Sequence, residues 1–256
     1  MTRDLFDRHL RLLRRDRAAQ IGPQMFLYDR TFEDCMERLQ GISRRFENAL
    51  LIGCPSPAWP ERLRHVVSKV DVVDPGLLFA RAANGEQAEE DRFDFGEDRF
   101  DLCLAIGTLD SVNDLPLALR LIDRALRSDA PFIGAIAGGN SLPTLRASLI
   151  EACRATGRIA ARTHPRIDPS SLAQLLSAAG FNMPVVDIDR VTLRYECLDD
   201  LIGDLRSMGA TSVLAERAPP LKKSEASLLR AAFAQAGEGG RTTEVVEILH
   251  FLGWSQ

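Results

Sequence analysis

Long apolar runs are missing from this chain of 256 residues. None approaches the roughly 20 residues that a bilayer core requires, so no membrane-spanning helix is expected. The opening stretch, MTRDLFDRHLRLLRRDRAAQ, has no apolar h-region and does not read as a secretory signal. Its arginines suit a transit peptide or a surface helix, and Asp4, Asp7 and Asp16 speak against the transit peptide. Histidine is scarce. His9, His65, His164 and His250 lack metal-ligand spacing, and no metal site is expected. The five cysteines (Cys35, Cys54, Cys103, Cys153, Cys197) are scattered, odd in number and free of CxxC, which fits reduced thiols in a cytoplasmic setting. Positive charge is not in excess. A net charge of −4 at pH 7 argues against nucleic-acid binding as the main task. Internal repeats and low-complexity linkers are absent. What is present is a globular composition, 45% hydrophobic and 27% charged, enough to bury a core in one large domain or a domain with an appendage.

The centre of the chain is residues 100–140, FDLCLAIGTLDSVNDLPLALRLIDRALRSDAPFIGAIAGGN. It reads as strand, helix, strand. Residues 100–106 are an apolar run suited to a strand buried on both faces. Pro116 fits the first turn of a helix, where its missing N–H costs little. Leu115, Ala118, Leu119, Ile122 and Leu126 follow at helical spacing, and Pro131–Ala137 is the next strand. A crossover of this length joins parallel strands. Upstream, helices are expected over 3–20 and 26–46, the first with Leu5, Phe6, His9, Leu10, Leu12 and Leu13 on or near one face. Strands are expected at 49–53 and 70–73, helices at 60–67 and 77–83, and a weak third strand at 91–95. Downstream, 142–156 is a helix, 157–165 a basic loop, and Asp168 caps a helix that ends at Gly180. A strand over 183–195, helices over 198–208 and 222–236, and a strand over 242–252 complete the chain. Alternating strands and helices imply an α/β sheet, with an antiparallel edge permitted at the end.

In such sheets the ligand crevice lies beyond the carboxyl ends of the strands. The loops 107–113 and 138–141 should face it, which makes Asp110, Ser111 and Asn113 crevice candidates, unless both loops are plain polar connections. The first strand runs into Gly53-Cys54-Pro55-Ser56-Pro57, where a nucleotide cradle would stand. Its prolines remove N–H donors and fix φ, so the turn also reads as a rigid connection packed on Trp59. Asp74, at the end of the second strand, stands where a ribose diol is held, or simply makes a turn with Pro75 and Gly76. Asp91 could meet an adenine edge or lie in a solvated loop.

On these residues the chain resembles class I S-adenosylmethionine (SAM) methyltransferases. More narrowly, it resembles the complex I assembly factor 5 family and its bacterial relatives, which are similar to malonyl-carrier-protein methyltransferases. The likeness starts at Leu5-Phe6-Asp7-Arg8 and runs through Phe100-Asp101-Leu102. It is sharpest in Val112-Asn113-Asp114-Leu115-Pro116, Phe132-Ile133-Gly134-Ala135 and Gly138-Gly139, and continues through Leu145-Arg146, Ala179-Gly180-Phe181-Asn182, Val186-Asp187 and Met208-Gly209. It implies a Rossmann-like class I methyltransferase fold: a seven-stranded, mainly parallel sheet with an antiparallel last strand. Residues 1–46 would form an N-terminal helical lid and 47–256 the methyltransferase-like domain. It implies SAM as cofactor, held near Gly53, Cys54, Asp74, Asp91 and Gly107. It implies a protein substrate or respiratory-complex subunit as partner, with methyl transfer or protein-arginine hydroxylation as the activity. Three departures stand out. Leu51 occupies the acidic position of the first motif, Pro55 and Pro57 replace its glycines, and Asp110-Ser111 replaces an aromatic or His pair. They predict that SAM binds weakly or not at all, and they admit the alternative of a non-catalytic protein that binds a partner during assembly.

Overall fold

The computed structural model describes residues 4–22, 25–157 and 161–256. One sheet holds β1 (Phe46–Ile52), β2 (Val67–Asp74), β3 (Glu86–Gln87), β4 (Leu102–Ile106), β5 (Pro131–Ala137), β6 (Asn182–Tyr195) and β7 (Thr242–Trp254), in the order β3-β2-β1-β4-β5-β7-β6. The pairings among β1 to β5 are parallel, and β7 runs antiparallel to both β5 and β6. This is the mainly parallel, seven-stranded sheet expected above. The helices are α1 (Arg8–Ile21), α2 (Phe26–Gln40), α3 (Ala58–Leu63), α4 (Leu77–Ala82), α5 (Leu115–Ala125), α6 (Pro143–Thr156), α7 (Pro169–Ala179), α8 (Leu198–Ser207) and α9 (Lys223–Gln235).

The two-residue period of a strand divides the core. In β4, Leu102, Leu104 and Ile106 join Phe32, Cys35 and Leu39 of α2 on one face, with Trp59 of α3 stacked on Phe32 at 4.6 Å. Cys103 and Ala105 point the other way, into a cluster with Leu119 and Ile122 of α5 and Leu172 and Leu176 of α7. Both faces are covered, which is why β4 and β5 read as unbroken apolar runs. The helix starts follow local chemistry. Asp114 accepts from the Leu117 N–H at 2.9 Å to open α5, and Asp168 accepts from Ser171 to open α7.

Helix α6 has no such residue. Its N-cap, Leu142, takes φ of +56° and offers no side-chain acceptor. Glu244 of β7, fully buried, supplies the cap from outside and accepts from the N–H groups of Thr144 (3.2 Å) and Leu145 (2.8 Å). Glu244→Ala strands these buried donors and is expected to cost about 1–3 kcal/mol, seen as a lower urea midpoint at unchanged slope.

The structure corrects four expectations. Helix α1 begins at Arg8, not residue 3, because Asp7 caps it through the Leu10 N–H at 2.9 Å while Phe6 bridges to Leu214. Its leucines are not its buried face: Leu13 is 47% exposed, and the buried residues are Arg11, Arg15 and Ala18. Residues 91–95 form no strand. The third strand is Glu86–Gln87, paired with Val73 and Asp74, because the following acids are bound by α1 instead. The second helix stops at Gln40, and Phe46 opens β1 by pairing with Val67. Of the expected basic loop, residues 158–160 lie outside the described residues.

Candidate functional site

The carboxyl ends of β1, β2 and β4 meet in an acidic trough. Gly53 leaves β1 at φ +77°, and a Cβ there would lie 2.3 Å from the Ile106 carbonyl oxygen, so only glycine fits this turn. Asp74 ends β2 with no exposed surface and accepts from the N–H groups of Cys54 (2.8 Å) and Gly76 (2.7 Å). The backbone of the first turn is therefore tied to the carboxylate of the second strand. Burial raises the Cys54 thiol to about 12, with Asp74 adding to the effect, which leaves it protonated and inert as a nucleophile.

Helix α1 lies across this trough. Arg8, Arg11 and Arg15 follow a helical spacing that puts them along one face. Arg15 clasps Asp74 with both arms, Nε to Oδ1 at 2.8 Å and Nη2 to Oδ2 at 2.6 Å, and its guanidinium stands 5.1 Å from the Phe79 ring centroid. Arg11 clasps the fully buried Glu90 at 2.8 and 2.9 Å and also donates to the Thr108 carbonyl and to Ser111 Oγ. Arg8 clasps Asp91 at 2.7 Å through each arm and reaches Glu89 at 2.7 Å. Two-pronged charged pairs of this kind are the strong class of hydrogen bond. Burial disfavours the charge on Arg15, yet Asp74 raises its affinity for the proton overall. Burial likewise works against the Glu90 and Asp91 carboxylates, and Arg11 and Arg8 outweigh it, so both are held below the usual carboxylate range.

The crevice candidates divide. Asn113 holds the chain before α1: its Oδ1 accepts from the Phe6 N–H at 2.8 Å and its Nδ2 donates to the Phe6 carbonyl at 3.0 Å. Ser111 is engaged by Arg11 and by the Thr108 carbonyl. Asp110 pairs with Arg166 and borders a cavity of about 80 Å³ at the ends of β4 and β5, otherwise lined mainly by apolar side chains such as Leu27, Ile106, Met208 and Val246. Tyr28 of α2 lies between this cavity and the trough. Its ring covers Gly107, where a Cβ would lie 2.3 Å from Cε1. Loss of water around the Tyr28 hydroxyl, then the charge of Asp110, pushes it up to about 12. Half-buried His164 accepts from the Val213 N–H at 2.8 Å through Nε2, and burial lowers it to about 4. The native state thus keeps His164 neutral where the unfolded chain takes up a proton. Stability should be full above pH 6.5, fall as the pH drops through that value, and level near pH 4, a loss of roughly 3 kcal/mol. Burial lowers His250 in the same sense. His164→Gln should flatten the His164 share of this slope in urea melts taken from pH 7 to 4.

Glu90, Tyr28, Arg166 and the three arginines of α1 were not singled out from the sequence. The signal that could have found the arginines is their shared helical face in a helix preceding an acidic stretch. Among the described residues, no group of three or more His, Cys, Asp and Glu could hold a metal ion, and no helix is long and apolar enough to cross a membrane.

A methyltransferase-domain family model matches residues 8–185, from α1 into β6. The chain belongs to this methyltransferase family. The protein named arginine-hydroxylase NDUFAF5, mitochondrial, of Danio rerio is 30% identical over 98% of this chain and 83% of its own length. The Homo sapiens protein of that name is 29% identical over 99% and 77%. A malonyl-[acyl-carrier protein] O-methyltransferase of Laribacter hongkongensis is 27% identical over 69% of this chain and 58% of its own. Among solved structures, the YcgJ protein of Bacillus subtilis superposes with a TM-score of 0.57 at 15% identity, over 86% of this chain and 96% of that one, a likeness of fold alone. The chain is a methyltransferase-like protein related to the complex I assembly factor 5 proteins.

Asp74 stands where the fold holds a ribose diol, and Asp91 follows the third strand. Both carboxylates are already engaged by guanidinium groups, and the cavity beside Gly107 and Thr108, which Arg11, Arg15 and Tyr28 help to line, holds about 30 Å³. The trough as folded does not fit SAM.

Proposed function

We propose that this chain is a partner-binding member of the methyltransferase family, related to complex I assembly factors, which in its resting conformation has no useful affinity for SAM. The observation that carries the reading is the two-pronged clasp of Asp74 by Arg15, which puts a fixed cation where a neutral ribose would have to enter. The first turn supports it. Pro55 and Pro57 offer no N–H, and the Cys54 N–H is committed to Asp74. Leu51 is fully buried between Val72 and Leu104, so no carboxylate stands at the end of β1. The partner is a protein subunit of a respiratory complex, as the relatives suggest, and the setting is cytoplasmic.

A second reading, a SAM-dependent enzyme acting on a protein side chain, is favoured by the cavity beside Asp110 and by the survival of Asp74 and Asp91. There, cofactor contacts would come from Gly53, Cys54, Asp74, Asp91 and Gly107, and methyl transfer would need little beyond positioning of the sulfonium and the nucleophile. Calorimetric titration of the full chain with SAM separates the two. The first reading expects no saturable heat into the millimolar range. A low-micromolar dissociation constant, abolished by Asp74→Ala, would replace it with the second.

A further inference from the structure

The way α1 is held differs from the way every strand of the sheet is held. Of its residues, Arg11, Arg15 and Ala18 are buried, and no large apolar side chain of the helix is. Leu13 and Ile21 are 47% and 53% exposed. Apolar contact comes from Ala18, in a cluster with Phe79 and Met208, and from half-buried Leu10 beside Phe6 and Val213, whereas the grip on the trough carboxylates themselves is made of ion pairs. Buried ion pairs contribute little net stability when both partners can return to water on separation, because the desolvation cost nearly cancels the attraction. Undocking α1 returns both sides to water: the guanidinium groups on a surface helix, and Asp74, Glu90 and Asp91 in an open trough. A segment with few buried apolar contacts belongs to the low-stability end of local opening. The hinge side is defined as well. Phe6 is buried with Val213 and Leu214 and is clamped by Asn113, so the chain just before the helix stays anchored while the helix itself can swing.

We propose that α1 is a latch: its arginines occupy the adenosyl site of the fold as stand-ins for a ligand, and swinging α1 away exposes a trough able to bind an adenosyl compound. The inference rests on the reading above, that the resting chain lacks affinity for SAM. It adds that the lack is conditional on where α1 lies. The chemistry beneath the latch is intact. Asp74 would exchange the two arms of Arg15 for two ribose hydroxyls, while the Cys54 and Gly76 N–H groups keep its orientation fixed. Asp91 would exchange Arg8 for an amino group, with the Asp114 N–H at 3.1 Å steadying it. Arg15 and the Cys54 and Gly76 N–H groups fill all four acceptor sites of Asp74, so a ribose can bind there only when Arg15 leaves. Any ligand of the trough must then loosen α1, the reverse of the protection that bound ligands usually give.

The test uses the full chain, S-adenosylhomocysteine as probe, and two readouts: calorimetry and hydrogen exchange at the amides of α1. In the wild type, α1 should exchange at least about a hundredfold faster than β4 before any ligand is added, because its opening is local. Arg15→Gln removes one clasp and should raise probe affinity by roughly tenfold or more, with α1 exchanging faster still when the probe is bound. Asn113→Ala releases the Phe6 anchor without removing any partner of a trough carboxylate. It should move both readouts the same way, and it decides the matter if Arg15→Gln does not fold. If neither folded variant binds the probe better than the wild type, the latch is wrong and the loss of affinity lies in the first turn, leaving the proposed function standing. If the wild type binds the probe and α1 exchange is unchanged, both ideas fall. If the wild type binds and α1 exchange accelerates, the latch holds and the reading of a resting chain without affinity is the one that fails.

Discussion

Arg15→Met is expected to cost about 3–5 kcal/mol of stability, because it leaves Asp74 charged, wholly buried and short of its counter-ion. This is not the worth of the pair. Against a chain in which the charge on both sides is removed, the same contact should count for little. The double variant Arg15→Met/Asp74→Asn removes the stranded charge and keeps an oxygen for one of the Cys54 and Gly76 N–H groups while the other faces the new amide NH2, so it should recover part of the loss. Urea midpoints at pH 7 for the two single variants and the double variant give the coupling directly. A cost below about 1 kcal/mol for Arg15→Met would show that Asp74 finds water or another donor at once, and the trough would not be the closed site described here. Acid should act on the neighbouring clasps in the same sense. Glu90 and Asp91 are held below their ordinary values, so their contribution is present above about pH 4.5 and is lost as the pH falls through the folded values.

The second large effect concerns affinity. The variant Pro55→Gly/Pro57→Gly/Arg15→Gln should bind SAM at least about a hundredfold more tightly than the wild type. Two restored N–H donors account for about 1 kcal/mol each, and removal of the competing guanidinium accounts for the remainder. The glycine pair alone should change little, because Arg15 would still hold Asp74 and the Cys54 N–H would still face that carboxylate. Equilibrium dialysis against labelled SAM, over the wild type, the glycine pair and the triple variant, ranks the three. A triple variant no better than the wild type would mean that Leu51 is the decisive loss. Leu51 is not a simple position to restore. It is packed among Phe32, Trp59 and Leu104, and a carboxylate placed there would be buried without a partner.

The βαβ unit was readable because its signals are local. The run Pro131–Ala137 is a strand as expected, α5 starts at its Asp114 cap, and α7 lies between Asp168 and Gly180. Asp74 was placed at the end of β2 for the same reason: an apolar run ended there in Asp-Pro-Gly. Family membership was also legible, since the Val112–Pro116 and Phe132–Ala135 stretches carry side chains that the fold itself needs.

Composition and motif spacing by themselves thus determined an α/β sheet, its central strands and the two ends of α7, because each depends on neighbours a few residues apart. What filled the crevice was decided only in three dimensions. A helical pattern shows which residues share a face and not what that face meets, so the leucines of α1 stood out as its apolar stripe and nothing marked its arginines as the buried side. The arginines are inside because Asp74 and Glu90 lie 59 and 79 residues away along the chain, and the buried acids cannot remain charged without them. Tyr28 over Gly107 and Glu244 at the start of α6 are of the same kind. Each satisfies a need created by the tertiary fold, with a residue that nothing in its own neighbourhood marks out.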